Sequence, residues 1–156
     1  MNKFEKVSQE QFFDGYSASY DEYEAIKIPV RATVGSAGYD FYSPVDFVLK
    51  PGKSIIIRSG IRLALDDDKF LMIVPRSGLG FKYKLRLDNT VGIIDSDYYN
   101  SDNEGHIAIK LTNEGEKTLF VSRGDAIAQG IILTYGLVAN DNVSNKRNGG
   151  FGSTGK

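Results

Sequence analysis

From Ile26 onward the chain is built of short β-rich runs separated by turn signals, and this rhythm most constrains what it can fold into. The runs are SIIIRSGIRLAL (54–65), KFLMIVP (69–75), GHIAIKL (105–111), KTLFV (117–121) and DAIAQGIIL (125–133). Pro51-Gly52, Asp66-Asp67-Asp68, Asn113-Glu114-Gly115 and Arg123-Gly124-Asp125 punctuate them. Short strands at this spacing predict an all-β sandwich, jelly roll or barrel. IIIRSGIRL and HIAIKL alternate in part, so one face of each is expected to be core. The stretch SGLGFKYKL (77–85) is expected to hold one short helix.

The first 25 residues have a different texture, with six aromatics and no β-branched run. VSQEQF reads as a helix start: Ser8 as N-cap, Gln11 closing a capping box, Val7 and Phe12 spaced as a hydrophobic staple. Three segments follow from this: an N-terminal extension with a helical segment (1–25), a β domain (26–139) and a C-terminal arm (140–156). The polar NDNVSNKRNGG that opens the arm reads as linker rather than strand. At 156 residues the chain is most simply one domain, large enough to bury a core without crosslinks.

Composition removes several classes. There is no cysteine, so neither a disulfide framework nor a thiolate metal site is available. With one histidine, His106, a zinc site would need carboxylates. His106 is expected at a strand edge or in a loop rather than as a catalyst. A net charge of −1 gives no electrostatic case for nucleic acid or a membrane surface. No apolar run approaches the roughly 20 residues of a spanning helix. MNKFEKVSQEQFF lacks the apolar core of a signal peptide, and a soluble, cytoplasmic protein is expected.

Chemistry concentrates in glycine-bearing turns: SAGYD (36–40), PRSGLG (75–80), DNTVGIIDSDYYN (88–100), RGDAIAQG (123–130) and GGFGSTGK (149–156). The last, read from Gly150, fits the first seven positions of the phosphate-loop pattern. That pattern continues with Ser or Thr into a helix and follows a strand, and neither is expected here. The arm is instead expected to be a mobile, glycine-rich segment suited to close approach of anions. Arg123-Gly124-Asp125 also matches an adhesion tripeptide, a match that chance readily supplies. Asp95 follows the apolar run VGII. Such a carboxylate can orient and deprotonate a water beside a cleft. It can equally cap a turn, with Asp97 and Asp102 as solvated neighbours. The residues alone leave both readings open.

Taken together and in order, five stretches resemble the trimeric dUTPase family: AGYDFYS, PRSGLG, NTVGIIDSDY, GDAIAQ and RNGGFGSTG, spanning about Pro29 to Gly155. The resemblance implies a jelly-roll-like β barrel in a homotrimer with shared active sites. It implies Mg²⁺-dependent hydrolysis of dUTP to dUMP and pyrophosphate, which limits uracil in DNA and supplies dUMP for thymidylate synthesis. On the same basis Asp95 activates the attacking water. Tyr98 packs on the deoxyribose and leaves no room for a 2′-hydroxyl. Asn89 and the backbone of Gly92, Ile93 and Ile94 read the uracil edge from a β hairpin. Arg76, Ser77, Gly78 and Gln129 contact the phosphates, and Asp40 supports that region from behind. Phe151 covers the uracil ring, while Arg147, Gly152, Ser153 and Thr154 hold the outer phosphates. No protein side chain binds the metal directly; the triphosphate and water hold Mg²⁺. The arm is then expected to close over substrate as a lid, since only ligand contacts offset its ordering entropy, about 1–2 kcal/mol per residue.

The chain departs from the family pattern in three places. Phe41-Tyr42-Ser43 stands where Leu and a small residue are usual. YNSDNEGH (99–106) is longer than the usual turn and reverses its Gly-Glu pair. Arg147 precedes Gly149 by two residues rather than three. One alternative is a dCTP deaminase of the same fold, which needs a Glu base that IDSDY does not supply. Another is a β-sandwich binding or capsid-like module, which gives no reason for five polar glycine turns. A third keeps the enzyme and adds a regulatory protein bound through 1–25 or 99–106.

Overall fold

The computed structural model describes residues 1–14 and 18–147. In chain order its elements are β1 (Lys3–Lys6), α1 (Gln9–Phe13), α2 (Tyr20–Glu24), β2 (Val30–Arg31), β3 (Tyr39–Tyr42), β4 (Phe47–Leu49), β5 (Ser54–Arg58) and β6 (Ile61–Ala64). There follow β7 (Lys69–Pro75), α3 (Ser77–Tyr83), β8 (Leu85–Leu87), β9 (Gly92–Asp95), a 3-10 turn (Ser96–Asn100), β10 (Ala108–Asn113), β11 (Leu119–Val121) and β12 (Ala126–Thr134). Each β-rich run of the sequence forms a strand, and the helix expected within 77–85 is α3.

The strands pair antiparallel in four sheets: β2-β3-β12-β7-β9, β5-β10-β8, β1-β6 and β11-β4. They wrap one apolar interior in a jelly-roll-like, all-β arrangement and do not join into a single closed ladder. Alternation sorts their side chains: Ile57, Ile61 and Leu63 are buried, whereas Ile56 is 55% exposed. The bulkiest fully buried groups include Phe12, Phe41, Leu71, Ile73 and Leu111. Burying a side chain of this size contributes about 1.5–3 kcal/mol. No helix among the described residues is long and apolar enough to cross a membrane.

The N-terminal segment is woven into this interior. KFEK pairs with β6, from Lys3 opposite Ala64 to Lys6 opposite Ile61. Phe4 meets Phe41 edge-on at 5.7 Å. A strand here was not expected; tertiary pairing overrides the low β propensity of Lys and Glu. Ser8 caps α1, its hydroxyl accepting from the Gln11 N–H at 3.1 Å, and Val7 and Phe12 are both buried as expected. Gln11 does not close the box. The Ser8 N–H donates instead to Glu104 Oε2 at 2.8 Å. The reciprocal capping box belongs to Ser19 and Glu22 at the start of α2.

Candidate active site

A groove of about 570 Å³ runs along β9, the Asp88–Val91 turn and the start of β10, and is also lined by Tyr98 and Arg147. Its spine is set by register. β9 lies against β7 with Gly92 opposite Ile73, Ile93 opposite Met72, Ile94 opposite Leu71 and Asp95 opposite Phe70. A Cβ at Gly92 would lie 3.1 Å from Ile73 Cβ, so glycine keeps the two strands close. Asn89 is exposed in the turn. There Thr90 adopts φ 68°, a conformation costly for a β-branched residue. The turn does not close a two-stranded hairpin: β8 pairs with β10 and β9 with β7. The chain changes sheet between Leu87 and Gly92, because each strand satisfies its backbone on a different neighbour.

Asp95 ends β9 and starts the 3-10 turn with extended backbone, but its side chain makes no capping hydrogen bond. The carboxylate is half-exposed and engages the Arg147 guanidinium. The same guanidinium donates from Nε to Asp97 Oδ1 at 2.7 Å and sits 6.0 Å from the Tyr98 ring centroid. Tyr98 is 6% exposed; its hydroxyl donates to the His106 carbonyl at 3.0 Å and accepts from Asn103 Nδ2 at 2.8 Å.

The remaining described residues of the expected site form a second group. Asp40 Oδ1 accepts from Arg76 Nε at 3.0 Å, at the turn into α3 where Ser77 and Gly78 follow. Gln129 lies opposite Asp40 on β3 and Val74 on β7, just beyond a β-bulge at Ala126–Ala128. Its Nε2 donates to the Pro75 carbonyl at 3.2 Å. Gly38 makes room for it: a Cβ there would fall 2.3 Å from Gln129 Oε1. β7 separates the two groups. Phe70 sits beside Asp95, and Arg76 is six positions further along. At about 3.3 Å per residue that is roughly 20 Å. One chain therefore places Arg76, Ser77 and Gly78 at the opposite end of β7 from Asp95 and Tyr98, while the turn that carries Asn89 returns toward Pro75, which lines one pocket with Asp88 and Thr90. Phe151, Gly152, Ser153 and Thr154 lie outside the described residues.

Three features were not anticipated. Asp97 shares Arg147 with Asp95. Asp88 and Lys110, both lining the groove, pair at 2.8 Å, and the Lys110 hydrogen bond holds the Asp88 carboxyl below its usual range. His106 is buried, its Nε2 accepting from the Gly60 N–H at 2.9 Å; burial, aided by Arg58, pushes its pKa down to about 4. Gly105, with φ 69°, was the one signal in the sequence that the 99–106 segment is tightly folded. Arg123-Gly124-Asp125 forms the tight turn between β11 and β12, with Gly124 at φ 88° and Asp125 accepting from the Ser122 N–H at 2.8 Å. Among the described residues, no three His, Cys, Asp or Glu side chains gather as a metal site.

Fold and groove together define a jelly-roll-like protein with a small-ligand site along a sheet, ended by a carboxylate that is not spent on capping. The dUTPase family model matches residues 24–155, and the chain belongs to that enzyme family. It is similar to the deoxyuridine 5′-triphosphate nucleotidohydrolase of Laribacter hongkongensis, 39% identical over 136 residues that cover 82% of this chain and 88% of that one. The Lactococcus lactis enzyme of the same name is 36% identical over 133 residues, covering 83% and 89%. Among solved structures, dUTPase from Streptococcus mutans matches with a TM-score of 0.70 and 28% identity, covering 88% of this chain and 98% of that one.

Proposed function

We propose that the protein hydrolyses dUTP to dUMP and pyrophosphate, at sites shared between copies of the chain in a homotrimer. The observation that carries this reading is Asp95: it ends the strand that lines the groove, and its carboxylate is left uncapped. Uracil lies along Gly92, Ile93 and Ile94, whose backbone, with Asn89, reads its edge. The Tyr98 ring packs against the deoxyribose. Asp95 takes a proton from water as the water oxygen attacks the α-phosphorus; the α–β bridging oxygen leaves with pyrophosphate.

The phosphates need donors, and the Arg76–Gly78 turn with Gln129 supplies them. Arg76 stands roughly 20 Å along β7 from the Asp95 of the same chain, and Gln129, opposite Val74, roughly 13 Å along it and one strand further away, so a neighbouring copy contributes them. Asp40 holds Arg76 for that contact. Arg147 leaves Asp95 and Asp97 for an outer phosphate, and the arm brings Phe151 over the uracil and Gly152, Ser153 and Thr154 to the phosphates. Mg²⁺ would enter with the triphosphate, since such ions commonly keep water and phosphate ligands. When bound it neutralises phosphate charge.

The test is product analysis with dUTP, UTP and dCTP in the presence of Mg²⁺. Pyrophosphate and dUMP from dUTP, with strong preference over UTP and dCTP, support the reading. Ammonia released from dCTP favours a deaminase instead, and equal turnover of UTP and dUTP contradicts the Tyr98 assignment.

A further inference from the structure

The segment 99–106 is the place where the chain departs most from the expected turn, and its hydrogen bonds converge on Tyr98. The Tyr98 hydroxyl has one proton to give and lone pairs to receive. It gives to the His106 carbonyl at 3.0 Å and receives from Asn103 Nδ2 at 2.8 Å. The Asn103 amide is itself oriented, because its Oδ1 accepts from the Gly105 N–H at 3.1 Å. Gly105 has φ 69°, and a Cβ there would fall 2.7 Å from the Tyr98 carbonyl oxygen, so no larger residue fits. The His106 N–H returns to the Asn103 carbonyl at 3.0 Å, and its ring is fixed by Gly60. The loop is anchored outside as well. Glu104 accepts from the Ser8 hydroxyl at 2.5 Å and N–H at 2.8 Å. The Tyr99 hydroxyl donates to Glu5 at 2.5 Å, and the Arg62 guanidinium stacks 3.6 Å from the Tyr99 ring centroid.

We infer that Asn103 is a positioning residue for substrate selectivity: by holding the Tyr98 hydroxyl it fixes where the ring stands, and so how much room remains beside the sugar C2′. This rests on the Tyr98 role proposed above. Burial alone keeps the ring inside the groove wall, but sliding within its plane is limited by what grips the hydroxyl. Loss of that grip lets the ring retreat, and a 2′-hydroxyl then fits. The 99–106 segment thus braces the sugar pocket, with residues 5 and 8 of the N-terminal segment as its outer footing.

The experiment compares kcat/KM for dUTP and UTP in the full-length enzyme and in Asn103→Ala, Tyr98→Phe and the double variant, with thermal unfolding of each. Asn103→Ala removes one neutral hydrogen bond to the hydroxyl, and the dUTP-over-UTP ratio is expected to fall about two- to tenfold; Tyr98→Phe removes two, from Asn103 and to the His106 carbonyl, and should lower the ratio at least as far. Because Tyr98→Phe already removes the Asn103 contact, the double variant should fall little further than Tyr98→Phe alone. Asn103→Ala that lowers dUTP and UTP turnover equally, or that leaves the ratio unchanged, overturns the inference. If Asn103→Ala does not fold, Tyr98→Phe decides: an unchanged ratio refutes the grip on the hydroxyl, and a reduced ratio supports it. A wild-type enzyme that does not discriminate the two nucleotides overturns the Tyr98 role and this inference together, a result separable from the variant outcomes.

Discussion

Mixing two inactive chains should recover activity. The perturbation is co-expression, in equal amounts, of an Asp95→Asn chain and an Arg76→Ala chain. Register fixes the logic: Asp95 pairs with Phe70 at one end of β7, and Arg76 follows Pro75 at the other. The separation within a chain is roughly 20 Å, which neither side chain can close while both touch one triphosphate. If each site takes Asp95 from one copy and Arg76 from a neighbour, both are intact when the first copy is the Arg76→Ala chain and the second the Asp95→Asn chain. Random assembly of a closed ring makes each event one half, so about one quarter of sites are whole. Both chains keep the arm, so its origin does not enter. The assay is pyrophosphate release from dUTP by purified mixed oligomers carrying two different tags. Purification with both tags removes the unmixed rings, and every mixed three-membered ring holds one whole site in three, so about a third of wild-type turnover is expected. Mixed oligomers with no activity beyond that of the separate variants, or a sedimenting species that is both monomeric and fully active, would refute shared sites.

Two further outcomes follow from the same geometry. Asp95→Asn should bind dUTP and lose about 10²- to 10⁴-fold in kcat; near-normal turnover would show that Asp95 is not the base. Stability should fall as pH drops through the window from about 6.5 to about 4. His106, with its pKa lowered to about 4 by burial and Arg58, stays neutral when folded, while the unfolded chain takes up a proton near 6.5. The unfolded state binds more protons in that window, so acid favours it, by at most about 3 kcal/mol from this group. Glu104, held below its usual range by the Ser8 hydroxyl and N–H, adds a loss of the same sign around and below its ordinary value. Denaturation midpoints at fixed protein concentration measure this, and an unchanged pH slope in His106→Gln would contradict the His106 account.

What the sequence made legible was local. Runs such as KFLMIVP carry strand composition and end on turn residues, so β7 and its like could be read directly. The five motif stretches named the family because their order is itself information. β1 could not be read: KFEK has no strand signature, and only the edge of β6 makes it a strand. Nor did motif order reveal that the site falls into two groups, since that depends on which residue faces which across β7 and β9. For Asp95 the turn-cap reading falls only with the folded side chain, which makes no capping hydrogen bond and pairs with Arg147 instead. Arg147 on Asp95 and Asp97, and Asn103 beneath Tyr98, are contacts between distant or loop residues that no period or propensity encodes. The expected hairpin failed for a related reason: DNTVG has turn composition, but sheet partners, not the turn, decided where β8 and β9 pair.

The most direct test of the central claim is a crystal structure with Mg²⁺ and a dUTP analogue that resists hydrolysis between the α- and β-phosphates. The account predicts uracil along Gly92–Ile94, the Tyr98 ring against the deoxyribose, and a water between Asp95 and the α-phosphorus in line with the leaving oxygen. It predicts Arg76 of a neighbouring copy on the phosphates and Arg147 released from Asp95. A nucleotide bound away from this groove, or one whose base lies on Gly92–Ile94 while its phosphates contact Arg76 of the same chain, would contradict it.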